Sequence, residues 1–133
     1  MVVIDPITKR KLCKASLGLR QVEDASVLIV VCSNTSRSVR YGKRGTEFYS
    51  VINGAFAFMI ILLSAFNEGI GASFVGAFED DKVTKIPRLP VHVRPMGIIA
   101  LGYPAEKPER FERIELNNLV HYERYDRTKQ LVT

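Results

Sequence analysis

Short runs of apolar residues alternate with longer polar segments along this chain. Two of the short runs are residues 26–32 (SVLIVVC) and 95–101 (PMGIIAL), and a third covers residues 72–75. Continuous apolar runs of this length are typical of strands that are covered on both faces of a sheet. The pattern therefore predicts three buried strands, and the apolar residues 2–4 predict a further short strand at the start.

Two short helices are predicted beside the strands. Asp5 is an N-cap residue, and Pro6 follows in the first turn, where its missing N–H costs nothing, so a helix is expected over residues 5–16. A second helix begins at residues 78–81 (FEDD), whose carboxylates complement the helix dipole, and ends before two prolines. The polar, basic and glycine-bearing residues 34–45 predict a loop.

The most apolar segment is residues 48–67 (FYSVINGAFAFMIILLSAFN), which carry no charge. They predict a long helix that opens near Thr46 and closes at Gly69, a C-cap glycine. A helix that is apolar all round lies either in a membrane or at the centre of a core. Its length of about 20 residues suits a membrane span. Its serine, asparagine and glycine residues, and the lack of a second such segment, favour a buried central helix.

Composition indicates one folded domain. Of the 133 residues 47% are hydrophobic and 25% charged, a balance typical of globular proteins and not of disordered ones. A core is expected over residues 1–104. Residues 105–133 are charged with isolated apolar anchors, so this tail is expected to pack on the same or a partner subunit. Because one long helix and two short ones cannot cover the strands completely, we expect oligomerisation.

Charge and cysteine usage narrow the choice of partners. The net charge is +5, but the basic residues are scattered, which is typical of a solvated surface; a phosphate ligand or nucleic acid is the alternative. No nucleic-acid motif is present, so neither nucleic acid nor membrane is an expected partner.

Cys13 and Cys32 lack metal or redox spacing and follow no secretory signal, which predicts reduced thiols in a cytoplasmic protein. His92 and His121 lack a second ligand, so no metal site is predicted.

Four stretches carry a resemblance to a known family. They are DASVLIVVCS with the YGKRG loop after it, GIGASFVGAFEDDKV, IPRLPVHVRPMGIIALGYPAEKP and RIELNNLVHYERY. In this order and spacing they resemble the nitroreductase family, whose members are FMN-dependent homodimers that reduce nitro groups, quinones or related acceptors with a nicotinamide cofactor. The resemblance implies an α/β (α+β) fold, in which a nitroreductase-like sheet packs with the long central helix, shortened at its N-terminus and dimeric.

The resemblance also implies a flavin site, without any catalytic side chain. Gly76 and Ala77 would lie at the flavin ring edge, where small residues let backbone N–H groups approach; a plain strand-to-helix turn is the alternative. Arg113, with Arg110 as a neighbouring candidate, would bind the flavin phosphate, because a guanidinium binds phosphate oxygens bidentately. A solvated surface charge is the alternative for either arginine. The implied cofactors are FMN and NAD(P)H.

The chain departs from the family pattern at its start. Family members normally open with an arginine-rich motif that binds the FMN phosphate, followed by a Pro-Ser-x-x-Asn-type segment that contacts the ring, and neither occurs here. The central helix also carries Asn53 and Ile60 where relatives often have acidic and amide residues. Two functions therefore stay open. One is NAD(P)H-dependent reduction of nitro- or quinone-type acceptors, and the other is a non-catalytic remnant or a subunit whose site needs a partner chain.

Overall fold

The computed structural model describes residues 1–109 and 111–125. Its sheet is antiparallel, and its four strands lie in the order β1-β2-β4-β3. The strands are β1 (Val2–Val3), β2 (Val27–Asn34), β3 (Gly71–Val75) and β4 (Val93–Gly102). Every strand predicted from the apolar runs is confirmed, and the sheet with its helices on both sides confirms the predicted fold class.

Six α-helices occur within the described residues. They are α1 (Pro6–Ala15), α2 (Arg20–Asp24), α3 (Gly42–Arg44), α4 (Ser50–Asn67), α5 (Asp80–Lys85) and α6 (Leu116–Leu119). A 3-10 turn over Thr35–Tyr41 and a π turn over Gly45–Tyr49 connect β2 to α4 on either side of α3. The chain from β2 to the end of α4 is therefore helical throughout.

The first helix begins as the sequence predicts. The Asp5 carboxylate accepts hydrogen bonds from the Thr8 backbone N–H at 2.8 Å and from the Thr8 hydroxyl at 2.6 Å, and Pro6 occupies the first turn. The side-chain bond from Thr8, and then the backbone bond, lower the pKa of Asp5 because both stabilise the charged carboxylate. This N-cap fixes where α1 leaves the sheet.

The loop predicted over residues 34–45 is wrong, because this segment is helical. The Asn34 side chain accepts hydrogen bonds from the Ser36 backbone N–H at 3.1 Å and from its hydroxyl at 2.6 Å, which caps the 3-10 turn. Gly45 lets the next turn fold back closely, since a Cβ at this position would collide with the Ser38 carbonyl oxygen. Asparagine and glycine indicated a loop from the sequence, whereas here they serve as a cap and as a point of close contact.

The C-terminus of α4 lies where the sequence predicts. Gly69 has a φ of +69°, and the Ile70 backbone N–H donates to the Ala65 carbonyl oxygen at 2.8 Å. This arrangement is a Schellman motif, in which glycine supplies the left-handed residue that ends the helix. The predicted start near Thr46 falls in the π turn, four residues before regular α-helix begins.

The sheet separates two helical layers. Helices α1, α2 and α5 cover one face and share a core with β2, β3 and β4, whose fully buried members include Leu12, Val22, Leu28, Val30, Val83 and Ile98. Helix α4 covers the other face. Its Gly54 lies against Met96, and its Phe58 ring packs on Gly97 together with the ring of Phe74. The central strand β4 is therefore packed from both sides.

Helix α4 is buried on its sheet side and open on the other. Five large apolar side chains on the open side are 56–82% exposed, and they are Phe56, Met59, Ile60, Leu63 and Phe66. We call these five residues the α4 outer face. By length and hydropathy alone the helical stretch Thr35–Asn67 also meets the criterion for a membrane span. The predicted buried helix is thus confirmed for one of its faces.

Substitution of Gly97 tests the packing of α4 on β4. A Cβ at Gly97 would lie 2.7 Å from both the Phe58 and the Phe74 rings, so we expect Gly97→Ala to lower the free energy of unfolding by about 1–3 kcal/mol. Gly102→Ala on the same strand is the matched control, because its Cβ would meet nothing closer than 3.6 Å. Urea unfolding measures both, and equal stability of the two variants would contradict this packing.

Candidate functional site

Two strands of the sheet point in the same direction. Strands β2 and β3 both run antiparallel to β4; β2 ends at Asn34, opposite Val93, and β3 ends at Val75, opposite Ile98 near the middle of β4. The turn after β3 and the 3-10 turn after β2 therefore lie at one end of the molecule. This end contains the residues predicted for the flavin ring.

The turn after β3 carries Gly76 and Ala77, and both residues are exposed. Their backbone N–H groups donate no hydrogen bond to any other described residue. The turn is held two residues later, where the Glu79 N–H donates to the Ala15 carbonyl oxygen at 2.9 Å and joins it to the end of α1. Unpaired, fixed N–H groups at an exposed turn can bind an external acceptor.

An aromatic ring lies beside this turn. The Phe74 ring is half exposed and packs edge-on against Phe58, with 4.8 Å between ring centroids. A Cβ at Gly76 would lie 2.9 Å from the Phe74 ring, so a glycine is needed for the ring to lie over the turn. This aromatic neighbour was not predictable from the sequence, in which Phe74 is one apolar residue of a predicted strand.

The two predicted phosphate ligands do not join the turn within the described chain. Arg113 lies in the tail before α6 and forms no hydrogen bond or salt bridge with another described residue. Arg110 lies outside the described residues. Gly76 and Ala77 are therefore together at the edge of the sheet, and the assignment of either arginine to a phosphate stays a prediction.

Two cavities border α4. The first, here called the polar cavity, has a volume of about 250 Å³ and is lined by residues that include Cys32, Asn34, Arg37, Ser38, Ser50 and Asn53. The second is an apolar groove of about 540 Å³ between the end of α4 and the start of the tail, lined by residues that include Leu62, Phe66, Ile70, Ala72, Pro104 and Pro108. Neither cavity is lined by the turn residues or by Arg113.

The polar cavity contains a thiol that stays protonated at neutral pH. Cys32 is half-buried and free, and its burial raises the pKa of the thiol above its ordinary value, because the thiolate would lose hydration. Its sulfur lies 3.7 Å from the Val30 carbonyl oxygen, to which it donates. A protonated thiol is a weak nucleophile, so the chemistry of this cavity is binding by hydrogen bonds and charge. The second cysteine, Cys13, is free and buried elsewhere.

Comparison with known proteins identifies the relatives of this chain. A model of the nitroreductase family matches residues 8–103. A putative NADH dehydrogenase/NAD(P)H nitroreductase of Methanothermobacter thermautotrophicus is 40% identical over 91 residues, which cover 65% of this chain and 44% of that protein. An NADH dehydrogenase of Thermus thermophilus is 28% identical in an alignment 150 residues long, which covers 90% of this chain and 72% of that protein.

Solved structures support the same relationship. The NfrA1 nitroreductase of Bacillus subtilis superimposes with a TM-score of 0.84 at 26% identity, over 96% of this chain and 57% of that one. The chain thus spans about half the length of this structure and between 44% and 72% of the two relatives above. Because the family model matches well over half of its residues, the chain belongs to the nitroreductase family.

Proposed function

We propose that this chain is an FMN-dependent NAD(P)H oxidoreductase that reduces nitro- or quinone-type acceptors. The observation that carries the proposal is the exposed turn at Gly76 and Ala77, whose backbone N–H groups have no partner among the described residues. Family membership supports it, and so do the names of similar proteins, among them an oxygen-insensitive NADPH nitroreductase and an NADPH-dependent FMN reductase.

The turn fits one edge of a flat cofactor. Gly76 lacks a side chain and Ala77 has a small one, so a planar ring can come close enough for the two N–H groups to donate to it. The half-exposed Phe74 ring offers an apolar surface beside them. When bound, FMN supplies the redox chemistry, taking hydride from a nicotinamide and passing electrons to the acceptor. In this proposal the protein binds and orients the ring through the turn.

A second candidate is a subunit that keeps the fold but completes its flavin site only with another chain. The lack of any hydrogen bond or salt bridge from Arg113 to a described residue favours it, because the described chain does not hold this predicted phosphate ligand in place. Two missing charge-assisted contacts at a phosphate would weaken FMN binding about a hundredfold to ten-thousandfold. Affinity for flavin therefore separates the two candidates.

Titration of the purified chain with FMN tests the proposed function directly. We expect saturable quenching of flavin fluorescence at micromolar FMN or below, because the turn donates hydrogen bonds and the ring stacks beside Phe74. Riboflavin, which lacks the phosphate, is the matched ligand control. No quenching by FMN at any concentration up to millimolar would reject the flavoprotein for the isolated chain and favour the second candidate.

Substitution of Arg113 tests the proposed phosphate contact. Arg113→Ala should weaken FMN binding about tenfold or more, since a charge-assisted hydrogen bond contributes about 1.5–3 kcal/mol, and should leave riboflavin binding unchanged. Arg20→Ala is the control, because Arg20 is an exposed arginine on α2 that no proposed flavin contact includes. Equal FMN affinity of the two variants would contradict the assignment of Arg113 to the flavin phosphate.

We also propose that the chain forms a homodimer through the α4 outer face. The five large apolar side chains of this face are all more than half exposed, and burial of such side chains stabilises association. The tail, proposed as a separate segment over residues 105–133, adds further exposed apolar side chains, which include Phe111, Leu116, Leu119, Tyr122 and Tyr125. A second copy is the proposed partner, and the reducing cytoplasm, which keeps both cysteines free, is the proposed location.

A charge at the centre of the α4 outer face tests this dimer. Leu63→Glu should weaken self-association about a hundredfold, because an unpaired carboxylate would be buried in the interface. Val91→Glu is the control, since Val91 is fully exposed in the turn before β4. Sedimentation equilibrium measures both variants, and circular dichroism checks that they fold. A Leu63→Glu protein that associates as tightly as the control would rule out this face.

A further inference from the structure

The segment that connects β2 to α4 is strongly basic. Residues 37–44 contain Arg37, Arg40, Lys43 and Arg44 and no acidic residue. All four side chains are exposed, and within the described chain only Lys43 has a salt bridge, to Glu47 at 3.9 Å. Three guanidinium groups are thus left without a counter-charge on a short stretch of surface. Such a concentration of positive charge attracts anions.

Two arginines of this segment, Arg40 and Arg44, stack on aromatic rings. The Arg44 Cζ lies 4.6 Å from the Phe48 ring centroid and 5.4 Å from that of Tyr49, and its Nε donates to the Tyr49 hydroxyl at 3.2 Å. The Arg40 Cζ lies 4.7 Å from the ring centroid of Tyr41. Stacking of this kind restrains each guanidinium. A restrained guanidinium group loses less conformational entropy when its N–H groups bind a phosphate bidentately.

The segment also borders the polar cavity. Arg37 and Ser38 line it from the 3-10 turn, while Ser50 and Asn53 line it from α4. Asn34 lines it from the end of β2, and its only side-chain oxygen already accepts the two hydrogen bonds of the cap. At about 250 Å³ the cavity is smaller than typical pockets for whole cofactors, so it can take only one end of a nucleotide.

We propose that the polar cavity and the basic segment 37–44 form a binding site for the phosphate groups of a nucleotide. The phosphates lie over the guanidinium groups, and an uncharged end of the same molecule enters the cavity and bonds to its amide and hydroxyl groups. A cavity of only about 250 Å³ at the end of the basic stretch favours such a small ligand over a nucleic-acid strand, which needs a groove that follows several phosphates.

The proposal rests on the proposed function only for the identity of the nucleotide. A flavin mononucleotide and a nicotinamide dinucleotide carry the same phosphate chemistry, and an oxidoreductase of this class uses both. The 3-10 turn of this site and the turn at Gly76 both follow strands that run antiparallel to β4, so both strands point toward the N-terminal end of β4. A nucleotide held there would therefore lie on the side of the molecule that carries the proposed flavin contacts.

Calorimetric titration with sodium pyrophosphate tests the site without any flavin. We expect pyrophosphate to bind the wild-type chain with an affinity that falls as salt is added, because the contacts are charged. Arg37→Met should weaken this binding about tenfold, by the loss of a charge-assisted hydrogen bond. Arg37→Lys should keep part of the pyrophosphate affinity, since lysine retains the charge but cannot bind a phosphate bidentately. Arg20→Met, which removes the same charge outside the proposed site, should bind as the wild type does.

Competition then identifies the nucleotide. Displacement of NADPH by pyrophosphate would assign the site to the electron donor, and displacement of FMN would assign it to the flavin phosphate. Equal pyrophosphate affinity of the wild type, Arg37→Met and Arg20→Met would overturn the site, as would displacement of neither nucleotide. Flavin uptake combined with either of these results would leave the oxidoreductase proposal intact. Pyrophosphate binding that depends on Arg37, without any flavin uptake, would instead contradict the proposed flavoprotein function and support the phosphate site.

Discussion

The close approach of α4 to the central strand is the contact on which the rest of the arrangement depends. Gly97 has no side chain, so the rings of Phe58 and Phe74 meet directly over the middle of β4. This ring pair joins the long helix to β3, which pairs only with β4 among the described strands. The end of β3, and with it the turn at Gly76, is positioned by the packing of two aromatic side chains on one glycine.

The two faces of the sheet are built differently. On the side of α1, α2 and α5, branched side chains such as Leu28, Val30 and Ile98 form a closed core that one chain supplies in full. On the other side a single helix covers three strands and leaves its own outer half exposed. The closed layer accounts for folding, and the open layer holds the cavities and the surfaces available for ligands and partners.

Regular elements were predictable from the sequence because their signals are local. The apolar runs gave the strands, Asp5 with Pro6 gave the start of α1, and Gly69 gave the end of α4. The segment 34–45 was not predictable in this way, since the cap at Asn34 and the close contact at Gly45 depend on atoms brought together by folding. The contact of Phe74 with the turn also forms only on folding, so the sequence did not predict it. The roles of Gly76, Ala77 and Arg113 in a flavin site stay predictions.

Because the α4 outer face is exposed, the stability of the fold depends on what binds to this face. Any molecule that covers the α4 outer face binds the folded chain and not the unfolded one, so its binding free energy adds to that of folding. The free energy of unfolding is then no longer a constant of the sequence alone, and it varies with how much of that partner is present. Mutations on this helix can in consequence act on abundance in the cell through the partner, even where the sheet beneath them is undisturbed.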